Sequence, residues 1–326
     1  MGRVLSVKVC GGELYATYSD GSSCFVSRFR GSSLEPLAGF AEPSCLILMC
    51  IGGDFLISAG NSLYLISGGD ARLLLRVKSG NWFWHALMTP RGVYVQEYGE
   101  SPTGIYFSED LSSFVRVITN ADIDPLSRHF HFVAYDAQRD LLIATLGDGN
   151  IVKVAVSEGD DKSWKPLYRG PWQFVPVLVE DKRYIFGFDS SVARGGVGVY
   201  EDGRFHSIFL KPRIGGFAQF IDLKRVGDVY VGGLGMPTAV VMSRDLRNWY
   251  PLYVDANSTG YNHFVGVDVL EDRIIASTGS KLLFFGKQDI ENAFRQEPFL
   301  KSYKALFDRF KGFGFILKRL PWFLRL

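Results

Sequence analysis

Histidine is scarce in this sequence, five in 326 residues, and four of the five gather at related places. His85-Ala-Leu, His131-Phe-Val and His263-Phe-Val share a register with Gln173-Phe-Val and Gln219-Phe-Ile, and neighbouring members of the set stand 42 to 46 residues apart. Imidazoles and amides carried at equivalent positions of a repeat converge when the repeats close around an axis. A concave polar site of that kind binds a polar ligand, and with a carboxylate it holds a divalent metal. His129 lies two residues before His131, so on an extended segment both rings point the same way. The expected ligand-binding set is therefore His85, His129, His131, Gln173, Gln219 and His263, with His85, His131 and His263 as candidate ligands of a divalent metal, the one cofactor the sequence suggests. Loops that reach the same rim carry Asn61, Glu100, Asp148, Asp189 and Ser280. Glu100, Asp148 and Asp189 are the candidate catalytic acids, since two carboxylates beside two imidazoles offer general acid–base chemistry.

Such convergence needs a repeated scaffold, and the chain supplies one. Units open near Val4, Ser44, Trp84, Phe130, Trp172, Ala218 and Asn262, about 38 to 46 residues apart, the length of one four-stranded propeller blade. The third unit reads as strands at 84–89, 92–97, 104–108 and 114–118, and the sixth as strands at 218–223, 228–232, 239–243 and 249–254. Turns rich in Gly, Pro, Asp and Ser separate them. No long helical periodicity precedes residue 299, so an α/β fold lacks its helices. The expectation is an all-β, seven-bladed β-propeller over 1–298, with the outer strand of the last unit supplied from the C-terminal side or missing.

The segments Ser243-Arg-Asp-Leu-Arg-Asn-Trp249 and Ser108-Glu-Asp-Leu-Ser-Ser-Phe114 sit at equivalent outer hairpins. They resemble the Asp-box of bacterial neuraminidase repeats in sialidase-like propellers, though one residue shorter to the aromatic and without the internal glycine. The resemblance implies a propeller whose Asp-boxes are structural and lie on the face opposite the usual ligand site. Sialidase chemistry itself also requires an arginine cluster for the substrate carboxylate and a tyrosine nucleophile with an acid partner. Arg91, Arg128, Arg194 and Arg213 occupy unrelated repeat positions, which excludes that activity. Sugar-acid lyases on seven-bladed propellers are similar in holding a metal with His and Gln near the channel, so the alternative function is a metal-assisted glycan lyase or glycoside hydrolase.

Composition bounds the rest. Hydrophobic residues make up 47% and charged residues 21%, which supports a packed core throughout and excludes disorder. A net charge of +2 gives no basis for nucleic-acid binding. Residues 299–326 carry seven Lys or Arg against one Asp, with apolar residues at steps of three and four, and are expected to form a basic amphipathic helix. Lys301, Lys304, Phe307, Phe310, Lys311, Lys318, Arg319 and Trp322 would meet an anionic membrane surface or a protein partner. Cys10, Cys24, Cys45 and Cys50 sit in or beside strand-like segments with no signal peptide ahead of them, so free buried thiols are expected, hyperthermophile proteins being the exception. The function expected is a cytoplasmic propeller that recognises a glycan or other polar chain at its His/Gln ring and is held at the inner membrane face or a partner by its tail.

Overall fold

The computed structural model describes residues 2–31, 33–158, 163–189, 195–258 and 260–303. Strands β1 (Arg3–Cys10), β2 (Glu13–Ser19), β3 (Cys24–Arg30) and β4 (Ser33–Phe40) form one antiparallel sheet in chain order. β5 (Cys45–Ile51), β6 (Asp54–Ala59), β7 (Ser62–Ser67) and β8 (Asp70–Arg76) form the next. The pattern repeats in β9 (Trp82–Thr89), β10 (Gly92–Tyr98), β11 (Gly104–Ser108) and β12 (Val115–Thr119), followed by the single-turn helix α1 (Asn120–Ile123). It repeats again in β13 (His129–Asp136), β14 (Leu141–Gly147), β15 (Val152–Glu158) and β16 (Trp164–Arg169).

The architecture then changes. β17 (Phe174–Val179), β18 (Arg183–Phe188), β19 (Gly196–Glu201) and β20 (Arg204–Pro212) meander outward, as do β21 (Gln219–Val226), β22 (Val229–Met236), β23 (Thr238–Ser243) and β24 (Asn248–Val254). After β25 (Val265–Leu270), β26 (Arg273–Thr278), β27 (Leu282–Phe285) and helix α2 (Lys287–Phe294), the short strand β28 (Leu300–Ser302) pairs with both β20 and β24. Two outer edges are thereby joined into one nine-stranded sheet whose end strands, β17 and β21, lie side by side, a nearly closed barrel. Its interior holds Phe220, Trp249, Phe299 and Leu300, each almost fully buried, and Phe220 meets Trp249 with ring centroids 5.0 Å apart.

Seven blades are therefore not what the chain builds: five discrete sheets, four of four strands and one of three, accompany the nine-stranded barrel. The physical reason is β28. Leu300 and Phe299 bury completely between two outer strands, and the backbone of β28 satisfies the exposed edges of both, which an unpaired edge strand favours. The helix expected to start at 299 does not start there, because those apolar residues serve a strand. Lys301 lies exposed within β28, while Lys304, Phe307, Phe310, Lys311, Lys318, Arg319 and Trp322 lie outside the described residues. Among the described residues the last sheet has three strands, and α2 occupies the chain that follows them. No helix among the described residues is long and apolar enough to cross a membrane.

The cysteines are not free. Cys10 on β1 pairs with Cys50 on β5, and Cys24 on β3 with Cys45 on β5, with Cα separations of 5.9 and 5.8 Å. Each bridge crosses from the first sheet to the second, a pairing that spacing along the chain does not reveal. Both hairpins that carry the Ser-x-Asp segments adopt one turn. Ser243 Oγ accepts from the Leu246 amide and Asp245 from the amides of Arg247 and Asn248, while Ser108 and Asp110 accept from Leu111 and Ser112. Leu246 and Leu111 take positive φ in the two turns.

Candidate functional site

The inner strands β1, β5, β9, β13, β17, β21 and β25 follow one another around the axis, and β25 returns to β1. Six of them carry a β-bulge near the start, at Leu5, Leu48, Trp84, His131, Val175–Pro176 and Ile221; β25 pairs in regular register. A bulge sets two residues against one and re-aims a side chain. Trp84, Val175 and Ile221, all bulge residues, form one buried cluster between the inner strands, with Leu46, Trp82, Tyr98 and Tyr261 against them.

The bulges also resolve the expected single ring into layers, because counting in steps of two fails by one residue across each bulge. His131 is itself a bulge residue, level with Trp84. Gln173 and Gln219 stand two residues before their bulges, level with His129. His85 follows its bulge and lies level with Phe132, whose ring is 4.1 Å away.

The tightest cluster joins β13, β14 and the entrance to β17. Gly147, at the end of β14, faces His131, and a Cβ there would stand 1.8 Å from the ring, so only glycine admits the imidazole. Asp148 follows with φ of +57°, a conformation aspartate tolerates. Its amide donates to Gln173 Oε1 at 2.8 Å, and its carboxylate stands 3.6 Å from His129 Nε2. His129 Nδ1 lies 2.7 Å from the carbonyl of Gly99 and His131 Nδ1 3.0 Å from that of Phe174. A carbonyl only accepts, so both Nδ1 atoms carry the proton and both Nε2 atoms present lone pairs. Those two Nε2 atoms face each other at 3.2 Å.

Around this pair the surroundings are graded. Burial lowers the pKa of His129 to about 4, with His131 adding to the shift, and burial lowers that of His131 to about 4 as well. Both imidazoles are therefore neutral at neutral pH. Asp189 lies 3.5 Å from His131 Nδ1 and accepts from Gln219 Nε2 and from the Tyr261 hydroxyl. Its own burial raises its pKa. Arg128 Nη1 stands 3.8 Å from the outer side of Asp148. Lys153, lowered to about 8 by burial, donates to Asn150 Oδ1.

His263 completes the wall beyond Asp189, with its ring 4.0 Å from Tyr261 and burial lowering it to about 4. Among the described residues, three polar atoms at this end are buried without a hydrogen-bond partner, Gln219 Oε1, His263 Nδ1 and Trp82 Nε1, while His85 Nε2 is another such atom deeper in the channel. A cavity of about 20 Å³ lies beside Trp82, Trp84 and His263, the room of about one water. Glu100 does not join the site. It is exposed and pairs with Lys78 at 3.6 Å. Asn61 is turned to the Val77 carbonyl and Ser280 to Thr278, within their own loops.

Sequence reasoning misses the aromatic lining. Tyr98 stacks on Trp82 at 5.5 Å and lies 4.2 Å from the His129 ring, and Tyr261 bridges Asp189 to His263. The signal for Tyr261 is present, since Tyr261-Asn-His263 repeats the alternate spacing of His129-Phe-His131. Trp84 carries no such signal, because its inward aim depends on the bulge.

No protein-family model and no curated protein sequence matches this chain. The likeness of the two hairpins to Asp-boxes thus stays local to the turns. Solved structures do resemble it in fold. The extracellular domain of the putative one-component system BT4673 from B. thetaiotaomicron superimposes with a TM-score of 0.60 at 8% identity, covering 87% of this chain and 38% of that one. Saccharomyces cerevisiae Sqt1 gives 0.55 at 9% identity, over 92% of this chain and 85% of its own. A chain of a nidogen/laminin complex gives 0.51 at 11%, over 76% and 96%. The chain spans well under half the length of the first of these neighbours, and at such identities the likeness is one of fold: an all-β, propeller-like scaffold.

Proposed function

We propose that this protein is a ligand-binding propeller-like domain that takes a glycan or another polar chain at the channel end bounded by His129, Asp148, Gln219 and His263. The observation that carries this reading is the set of buried polar atoms left without partners beside an aromatic wall of Trp82 and Tyr98. Unpaired buried donors and acceptors cost about 1–3 kcal/mol each, a cost that a hydroxyl-rich ligand offsets. Stacked aromatics beside amides and a half-exposed carboxylate suit sugar rings, which present apolar faces and hydroxyl edges together.

The two disulfides favour an oxidising compartment over a reducing cytoplasm, and the proposal places the protein there. Residues 304–326, basic and apolar by turns, would tether it to an anionic surface or partner.

Calorimetric titration with a panel of neutral and acidic oligosaccharides tests the reading. At least one class is expected to bind, with Gln219→Ala and Asp148→Asn each weakening it about tenfold. A panel with no binder, or binding that neither substitution alters, would overturn it.

A further inference from the structure

The Nε2 atoms of His129 and His131 face each other across 3.2 Å, and because each ring's Nδ1 faces a carbonyl on its far side, the neutral tautomers leave lone pairs on both Nε2 atoms. Two neutral acceptors in that arrangement repel, and Asp148 adds a third electron donor on the open side. The three ligand atoms lie within 4.8 Å of one another. We infer that His129 Nε2, His131 Nε2 and an Asp148 carboxylate oxygen together hold one divalent transition-metal ion of the zinc class.

The distances suit that ion. Two ligand atoms each about 2.0–2.1 Å from a tetrahedral zinc stand roughly 3.3 Å apart, close to the separation of the two nitrogens. Ligating histidines ordinarily donate their other ring N–H to a carbonyl or carboxylate, which fixes tautomer and orientation. Here the carbonyls of Gly99 and Phe174 do so. Gln173 fixes Asp148 through its amide. Two imidazoles and a carboxylate suit zinc better than calcium or magnesium, which prefer all-oxygen shells. Three protein ligands leave a fourth position for water or a ligand oxygen. The neighbouring charges are mixed, with Arg128 and Lys153 against Asp189, and Arg128 is exposed enough to swing away.

This site differs from the set His85, His131 and His263 expected from the sequence, and it stands whether or not a glycan is the ligand. The test uses the full chain, stripped with a chelator and titrated with cobalt(II) and then zinc. One equivalent of cobalt is expected to develop the visible absorption of a tetrahedral site and to be displaced by zinc. Asp148→Asn should weaken binding about tenfold or more, and His129→Ala should abolish stoichiometric binding. His206→Ala, on β20, should leave it unchanged. Circular dichroism establishes that each variant is folded; should His129→Ala unfold, the half-exposed Asp148 position decides alone. Folded wild-type protein that takes up no stoichiometric cobalt, or an Asp148→Asn chain that binds like wild type, would overturn the inference.

Discussion

Two polar layers line the same channel, and they are built on opposite principles. Further along the inner strands from the histidines, Asp268 Oδ2 accepts from the Val9 amide at 2.8 Å and its Oδ1 from Lys224 Nζ at 3.0 Å, while Asp222 accepts from the Val267 amide at 2.9 Å. Each of these hydrogen bonds runs from one inner strand to the next: β21 to β25, and β25 to β1. Lys8 completes the group, its pKa lowered by burial and by Lys224 while Asp268 and Asp222 pull the other way. In this layer the carboxylates are answered, and the network works as stitching. The histidine layer has the same burial without the same completion, with ring nitrogens turned on each other and amide and indole atoms unpaired. A buried polar network that closes on itself supports the fold, and the one left open is where the proposed ligand and metal would supply the missing partners.

The largest effect expected from breaking this contrast is at Asp268. Asp268→Ala leaves Lys224 and the Val9 amide without their partner in a mostly buried place and should destabilise the chain by about 3 kcal/mol, read as a lowered urea midpoint. Metal uptake by the variant that still folds should match wild type, because no ligand atom lies in that layer. Parallel loss of stability and metal uptake under folding conditions would show that the two layers are one unit.

Gly147→Ala attacks the other layer. The added methyl collides with a His131 ring held at Nδ1 by the Phe174 carbonyl, and the overpacking should cost about 1–3 kcal/mol while displacing a metal ligand. Loss of cobalt binding at modest loss of stability is the expected pattern in paired titration and unfolding experiments. Retained binding would place His131 outside the metal shell.

A smaller effect separates the layers by pH. His85 is held well below, and His263 down to about 4 from, an ordinary value near 6.5 by burial. Their neutral forms belong to the folded state, so their contribution is complete above about pH 6.5 and is lost as pH falls from there toward 4. Chelated protein should therefore show a urea midpoint that declines between pH 6.5 and 5, with a shallower decline in His263→Asn. Identical slopes in the two chains would show that His263 does not contribute to the pH dependence.

The meandering strands were legible in the sequence because hairpin chemistry is local. The third unit, read at 84–89, 92–97, 104–108 and 114–118, differs from β9–β12 by one or two residues at the ends. The pairing of β28 with two outer edges was not legible, since three residues that join distant strands carry no periodicity, and the spacing of Phe299, Tyr303 and Phe307 matches a helix equally well. The site was half legible. The concentration of histidine and amide is in the sequence, but its division into layers depends on bulges, and a bulge is a register event between two strands. Asp148 was visible as a turn acid in the unit that supplies His131, whereas its approach to His129 Nε2 at 3.6 Å depends on the positive-φ turn that only the structure shows.

The inferred metal organises the open layer around His129, His131 and Asp148. Crystals of the full chain grown with one equivalent of zinc, measured on both sides of the zinc absorption edge, test it most directly. A single anomalous peak is expected in the channel, about 2.0–2.2 Å from both Nε2 atoms and an Asp148 oxygen. Crystals that show the two imidazoles in contact, with no anomalous density between them and the zinc bound elsewhere or not at all, would contradict it.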